Sequence, residues 1–95
     1  MKKHEWINDD TDDFLLAMVQ LKNLAEARAF FGDIYTKKEI LGAANRWKAA
    51  KMLHFGVSYR KIERLTGMSS ATISRIKGKM AAGLGGYRSM LKKLK

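Results

Sequence analysis

The chain has 95 residues, which allows one domain with a modest hydrophobic core. It contains no cysteine, which excludes disulfides and thiolate metal sites, and its two histidines are too isolated to indicate zinc. No apolar run approaches the roughly 18 residues of a membrane span, and the N-terminal lysines lead into acidic residues rather than a signal peptide. We therefore expect a soluble, cytoplasmic protein with no metal and no membrane partner.

The net charge of +10 is distributed unevenly along the chain. Residues 1–33 carry four basic and seven acidic side chains, whereas residues 34–95 carry fifteen basic and two acidic ones. This asymmetry predicts a polyanionic partner for the C-terminal two-thirds of the chain. Charge alone leaves RNA, a membrane surface and simple solubility open as alternatives to DNA.

The apolar residues repeat with a helical period and no segment alternates with period two, so we predict an all-α protein of about six helices. The first helix is predicted over residues 10–22, with aspartates at its start, where the helix dipole favours negative charge. Asn23 and Glu26 have the spacing of a capping box, which predicts a second helix that ends near Gly32.

A long third helix is predicted next. Thr36 and Glu39 have the same capping spacing, and the apolar pattern continues to about Phe55. Gly56 is predicted to end this helix in the left-handed conformation. Because the helix is apolar around most of its circumference, we expect it to be central and heavily packed, with Trp47 in the core.

The segment SYRKIERLTGMSSATISRIKGK predicts a helix-turn-helix. Its first helix starts at the N-cap Ser58, Gly67 supplies the turn, and its second helix runs from the N-cap Ser69 to about Met80. Four apolar residues are spaced to seal the small core between the two helices: Ile62, Met68, Ile73 and Ile76. The alternative interpretation is an ordinary helical hairpin on a basic protein.

The second helix of this segment begins with small and hydroxyl-bearing side chains, which allow a close approach to the major groove. The first helix of the same segment, which starts at Ser58, begins with basic residues, and this is where a helix-turn-helix crosses the phosphate backbone. The predicted base-edge contacts are Ser70, Thr72 and Lys77. The predicted phosphate contacts are Arg60, Lys61, Arg75 and Lys79. The remaining residues of the predicted DNA surface are Ser69, Ala71 and Ser74.

The segment from Thr36 to Lys79 resembles the Trp repressor superfamily, and in particular its YerC/YecD-type branch. The resemblance is carried by ATISR at 71–75 and by the spacing of Gly42, Arg46, Gly56 and Gly67. It implies a six-helix protein that forms an intertwined homodimer, in which the N-terminal helices of each subunit wrap around the other.

The resemblance also implies an organisation for this chain as a single domain. Residues 10–55 would form a helical dimerisation core, residues 58–80 the helix-turn-helix, and residues 81–95 a basic C-terminal segment. The two recognition helices of the dimer would then enter successive major grooves of a palindromic site on double-stranded DNA, about 34 Å apart.

A ligand site is a further implication of the resemblance. In the Trp repressor, two arginines flank the bound indole and threonines line the pocket, and the matching residues here are Thr36, Arg46, Thr72 and Arg75. Two departures argue against L-tryptophan as a corepressor. Ile76 stands where the repressor has a glycine against the ligand, and Lys79 stands where it has a serine near the ligand's amino group. We therefore predict no cofactor, with Arg46 and Arg75 used instead for phosphate contacts.

The sequence predicts a transcriptional regulator, and specifically a repressor that occupies a palindromic operator as a homodimer. No nucleophile, base and acid form a recognisable set, so we predict no enzymatic activity. The alternatives are a nonspecific or architectural DNA binder and the DNA-targeting subunit of a recombinase-type complex. Trp6 either anchors the N-terminal arm on the partner subunit or lies exposed. Lys92, Lys93 and Lys95 form a solvated tail or add nonspecific affinity for DNA.

Overall fold

The computed structural model describes residues 5–94, so Lys95 lies outside the described residues. Within that range the chain folds into six α-helices and contains no strand, which confirms the predicted all-α class. The helices are α1 Asp9–Val19, α2 Leu24–Ile34, α3 Lys37–His54, α4 Tyr59–Thr66, α5 Ser70–Ala82 and α6 Gly86–Leu91. None of the helices in the described range is both long enough and apolar enough to span a membrane.

The chain divides into two compact units, which we call the N-terminal unit, up to Lys37, and the C-terminal unit, from Lys38 onward. The boundary lies at the start of α3, inside the segment 10–55 that the resemblance assigns to a dimerisation core. That assignment, and the expectation of a single domain, stay predictions.

The first helix of the N-terminal unit starts from a capping box that the sequence analysis did not identify. The Asn8 side chain accepts from the Thr11 backbone N–H at 2.9 Å, and the Thr11 hydroxyl oxygen accepts from the Asn8 N–H at 2.9 Å. The helix ends at Val19, three residues before the predicted end, because the N–H groups of Gln20 and Leu21 bond to carbonyls only three residues back.

The second helix has Asn23 as its N-cap, as predicted, but its hydrogen bonds differ from those of the predicted capping box. The Asn23 side chain accepts from the Glu26 N–H at 2.9 Å, while the Glu26 carboxylate accepts from the N–H of Lys22, also at 2.9 Å, rather than from Asn23. The predicted end near Gly32 is wrong by two residues. This glycine keeps a helical backbone, and α2 continues to Ile34.

Aromatic side chains hold α1 and α2 together. The ring of Phe14 lies 6.0 Å from those of Phe30 and Tyr35, and Phe31 stacks on Tyr35 at 5.6 Å. Neither helix contains a buried residue. Apolar side chains that remain exposed in this unit are Trp6, Ile7, Leu15, Leu16, Val19, Leu24 and Ile34.

The third helix ends as predicted, in a left-handed glycine. Gly56 has φ +80° and its N–H bonds to the Leu53 carbonyl, while the Val57 N–H bonds to the Met52 carbonyl at 2.9 Å. This pair of hydrogen bonds is a Schellman motif, which satisfies the last carbonyls of the helix.

The fully buried residues of α3 all lie in its second half, so the expectation of a helix heavily packed along its whole length is wrong for the single chain. Ala49 and Ala50 are fully buried and Trp47 packs against them, whereas Leu41 is 58% exposed. The two alanines allow a close approach of neighbouring helices, and with three isoleucines of α4 and α5 they form the core of the unit.

The C-terminal segment forms a helix that docks onto the unit. α5 runs two residues beyond its predicted end, and α6 follows after the Gly83–Gly85 turn. Tyr87 stacks on Trp47 with ring centroids 6.4 Å apart, and Leu91 is buried. The Arg88 guanidinium donates to the Ala81 carbonyl at 2.6 Å and so satisfies one of the last carbonyls of α5.

Candidate nucleic-acid interface

The turn between α4 and α5 is built around a left-handed glycine, as the sequence predicted. Gly67 has φ +76°, a conformation that strains any residue with a Cβ, and its N–H bonds to the Glu63 carbonyl at 2.8 Å. The Thr66 hydroxyl donates to the Ile62 carbonyl at 2.7 Å and accepts from the Met68 N–H at 3.2 Å. These bonds satisfy the end of α4 and fix the direction in which the chain enters α5.

Buried isoleucines lock α4 against α5. Ile62 and Ile73 are fully buried and Ile76 is 4% exposed, with Met68 packed against them. All four residues were predicted to seal this core, and the prediction is confirmed. Burial of each isoleucine contributes about 1.5–3 kcal/mol, so the relative position of the two helices is held firmly.

The first turn of α5 is organised by two hydroxyl groups. The Ser69 hydroxyl oxygen accepts from the Thr72 N–H at 3.2 Å and lies 3.1 Å from the Thr72 hydroxyl oxygen. Ser58 caps α4 in the same way, by accepting from the Lys61 N–H at 3.2 Å. Thr72 is half-buried, whereas Ser70 is exposed. The caps therefore engage the hydroxyls of Ser69 and Thr72, and Ser70 presents a hydroxyl to solvent.

The solvent face of α5 carries mostly small side chains at its centre, together with Arg75, and two lysines at its edges. Successive residues of an α-helix are turned by about 100°, so the positions opposite the buried Ile73 and Ile76 follow directly. The exposed residues at the centre of the face are Ala71, Ser74, Arg75 and Gly78. Lys77 and Lys79 lie on its two flanks, and both are exposed.

The structure brings one predicted DNA contact onto an aromatic ring. The Lys77 ammonium lies 5.9 Å from the ring centroid of Tyr59, the first residue of α4. Arg60 and Lys61 follow in the same turn of α4 and are exposed. Tyr59 could not be predicted as part of the interface, because Lys77 is eighteen positions away and no local pattern connects the two residues.

The residues implied by the resemblance as a ligand site are distributed over both units. Thr36 belongs to the N-terminal unit, and Arg46, exposed on α3, lies with its Nη1 atom 3.8 Å from the position that a Cβ on Gly42 would occupy. Arg75 is exposed, and Thr72 is bonded to Ser69. Among the described residues, no three His, Cys, Asp or Glu side chains are grouped so that they could hold a metal ion.

Comparison with known proteins decides the family. The sequence model of the Trp repressor protein family matches residues 9–95. The chain belongs to the Trp repressor family. Its resemblance to the YerC-type branch is confirmed by the YerC protein of Bacillus subtilis (strain 168), which is 40% identical over 86 residues, covering 90% of this chain and 83% of that protein.

Solved structures of the family have the same fold. A TrpR-like protein from Eubacterium eligens ATCC 27750 matches with a TM-score of 0.89 at 34% identity, over 96% of this chain and 94% of that one. A structure from Staphylococcus aureus matches with a TM-score of 0.87 at 33% identity, over 98% of this chain and 93% of that one. Membership of the Trp repressor family makes this chain a DNA-binding regulator in general terms.

Proposed function

We propose that the chain is a sequence-specific transcriptional repressor that occupies a palindromic operator as a homodimer, with α5 in the major groove. The observation that carries the proposal is the face of α5, where small exposed side chains and Arg75 lie between two lysine flanks on a helix fixed by the Gly67 turn and by two fully buried isoleucines. A face of this kind lets the helix backbone approach base edges closely while the flanks contact phosphates.

We divide the contacts according to what each side chain offers. Ser70 carries an exposed hydroxyl for base edges, Ala71 a methyl group for a thymine methyl, and Ser74 a second exposed hydroxyl. Ser69 and Thr72 form the cap of α5. Each of their hydroxyl oxygens has two lone pairs and can accept a further hydrogen bond from DNA while it takes part in the cap. The proposed phosphate contacts are Arg60, Lys61, Arg75 and Lys79, all of which are exposed.

The homodimer is supported by the apolar surface that a single chain leaves uncovered. Leu16, Val19 and Leu24 are each more than half exposed, and neither α1 nor α2 has a buried residue. Leu16 and Val19 are three residues apart on α1 and so share one face, and several exposed apolar side chains in so small a protein are typical of an interaction site. A second copy of the chain would cover it and would place two α5 helices about a symmetry axis, as a palindromic site requires.

We also propose that L-tryptophan is not a corepressor. Ile76, which stands where the Trp repressor has a glycine against the ligand, is 4% exposed and packs with Ala49 and Ala50. Its side chain fills space that an indole would need, and the nearby Lys79 would repel the ammonium of the amino acid. The arginines at the matching positions, Arg46 and Arg75, are then available for phosphates.

The test is a selection of bound sequences from random duplexes, run with the full chain in the presence and absence of free L-tryptophan. The proposal predicts that one palindromic sequence is selected, with half-sites about 10 bp apart. The selected sequence and the affinity for it are expected to be the same with and without L-tryptophan. Equal affinity for unrelated duplexes with a steep salt dependence would instead establish a nonspecific or architectural binder. Copurification with a catalytic subunit would favour a role in a recombinase-type complex.

A further inference from the structure

We propose that Tyr59 is a positioning residue that holds the Lys77 ammonium beside the start of α4, so that Lys77 contacts the phosphate backbone and not a base edge. The inference rests on the proposed DNA-binding role of α4 and α5 and reassigns one of its contacts. The observation behind it is the cation–π contact in which the ammonium lies 5.9 Å from the Tyr59 ring centroid.

The ring of Tyr59 is a fixed platform. Tyr59 is half-buried and packs against the core that contains Ile62 and Ile73, so its ring position is set by the packing of α4 on α5. A lysine side chain has four rotatable bonds and loses that freedom when its ammonium is held at one point. Because the Tyr59 ring already restricts the Lys77 side chain in the free protein, less conformational entropy is lost when Lys77 binds a phosphate.

The position of the platform determines what the ammonium can reach. Tyr59 is the first residue of α4, and the exposed Arg60 and Lys61 follow it in the turn where a helix-turn-helix crosses the DNA backbone. Lys77 lies on the same flank of α5 as Ser70 but two turns further from the N-terminal end, where a recognition helix contacts base edges. The ammonium is therefore held beside Arg60 and Lys61 of α4, and base edges are left to the residues of the first turns of α5.

The first experiment separates a phosphate contact from a base contact. In Lys77→Met, each protomer of the proposed dimer loses one phosphate contact, which lowers the magnitude of the slope of log affinity against log salt by about two and weakens binding to all duplexes alike. The sequence selected from random duplexes then stays the same. If the variant relaxes the base preference at one position of the selected site, the proposal is overturned, because Lys77 then reads a base.

The second experiment tests the role of the ring. Tyr59→Phe keeps the aromatic face and is expected to bind like the wild type, whereas Tyr59→Leu, which removes the contact from both protomers of the proposed dimer, is expected to lose about five- to thirtyfold in affinity. In the Lys77→Met background, Tyr59→Leu is expected to have no further effect. The matched control is Lys79→Met on the other flank of α5, whose effect is expected to be the same with and without Tyr59→Leu. An equal loss from Tyr59→Leu in the presence and absence of Lys77 would overturn the proposal.

A readout in the free protein covers the case in which Tyr59→Leu disturbs folding. The ε-methylene protons of Lys77 are expected to show an upfield ring-current shift in the wild type and Tyr59→Phe, measured by NMR without DNA. Absence of that shift in the wild type would contradict the inference. Failure of the proposed function is a different result: the wild type would prefer no duplex over another, while the salt slopes would still report whether Lys77 contacts phosphates.

Discussion

The two units of this chain bury their apolar residues to very different extents. In the C-terminal unit, two isoleucines and two alanines are fully buried and a third isoleucine nearly so. In α1 and α2 no residue is buried, although their aromatic rings contact one another. The comparison shows that α4 and α5 are fixed by contacts within one chain, whereas α1 and α2 leave apolar side chains exposed, which the proposed homodimer would cover. Four predictions test this difference.

The largest effect is expected in the C-terminal core. Ile73→Ala removes a fully buried side chain and is expected to lower the free energy of unfolding by about 2–5 kcal/mol, because it leaves a cavity between α4 and α5. Urea denaturation at fixed protein concentration measures this loss. The control is Leu84→Ala, at a leucine that is 68% exposed, where a change within about 0.5 kcal/mol is expected. Similar losses from the two variants would refute the assignment of the core.

A charge in the N-terminal helices is expected to disrupt the dimer. Leu16 is 62% exposed in the single chain, and Leu16→Asp would bury an unpaired carboxylate if a second copy covers it. We expect the dimer dissociation constant to rise by about 100-fold, measured by sedimentation equilibrium. Leu84→Asp introduces the same charge in the C-terminal unit and is expected to leave the dissociation constant unchanged. A wild type that is monomeric at every concentration would contradict the dimer.

The junction between α5 and α6 offers a smaller and purely local test. A Cβ on Gly83 would lie 2.5 Å from the Lys79 carbonyl oxygen, and the neighbouring backbone atoms leave it no room. Gly83→Ala is therefore expected to destabilise the C-terminal unit by about 1–3 kcal/mol, as overpacked substitutions do. Gly86→Ala, at an open helical position, is expected to raise stability by about 0.4–1 kcal/mol. The midpoints of thermal unfolding compare the stabilities of the two variants. Equal midpoints would contradict the close approach of Gly83 to the Lys79 carbonyl.

The smallest effect separates stability from DNA binding. Gly78 lies inside α5 on its exposed face, with nothing within 4 Å of an added Cβ, so Gly78→Ala is expected to stabilise the helix by about 0.5–1 kcal/mol. The added methyl group would also hold the helix backbone away from the groove, so affinity for the selected duplex is expected to fall. Gly86→Ala serves as the control that gains stability without a change in affinity. An increase in both quantities for Gly78→Ala would show that this face does not approach DNA closely.

The sequence predicted most parts of the fold whose signals are local, although the capping box of Asn8 and Thr11 was missed. The caps at Asn23, Ser58 and Ser69 and the left-handed Gly67 depend on residues within one turn, and each was located correctly. The end of α2 was wrong because a glycine inside a helix and a glycine after one look alike in sequence.

Contacts between distant positions could not be predicted in this way. Tyr87 on Trp47, Arg88 on the Ala81 carbonyl and Lys77 on Tyr59 join residues that only the packing of helices brings together. The candidate interface was predicted as a set of residues, and the structure distinguishes the members that cap α5 from those that its solvent face presents. Ser69 was predicted as the N-cap of α5, but the contact between its hydroxyl and that of Thr72 depends on side-chain positions that composition and spacing do not reveal.

The measurement that tests the central claim most directly is methylation protection of the selected duplex by the bound protein. Guanine N7 lies in the major groove and adenine N3 in the minor groove, so the reagent reports which groove the protein occupies. If α5 enters the major groove in a dimer, guanine N7 atoms are protected in two patches about 10 bp apart, with the minor groove open between them. Protection of adenine N3 alone, or of neither atom, would contradict the account.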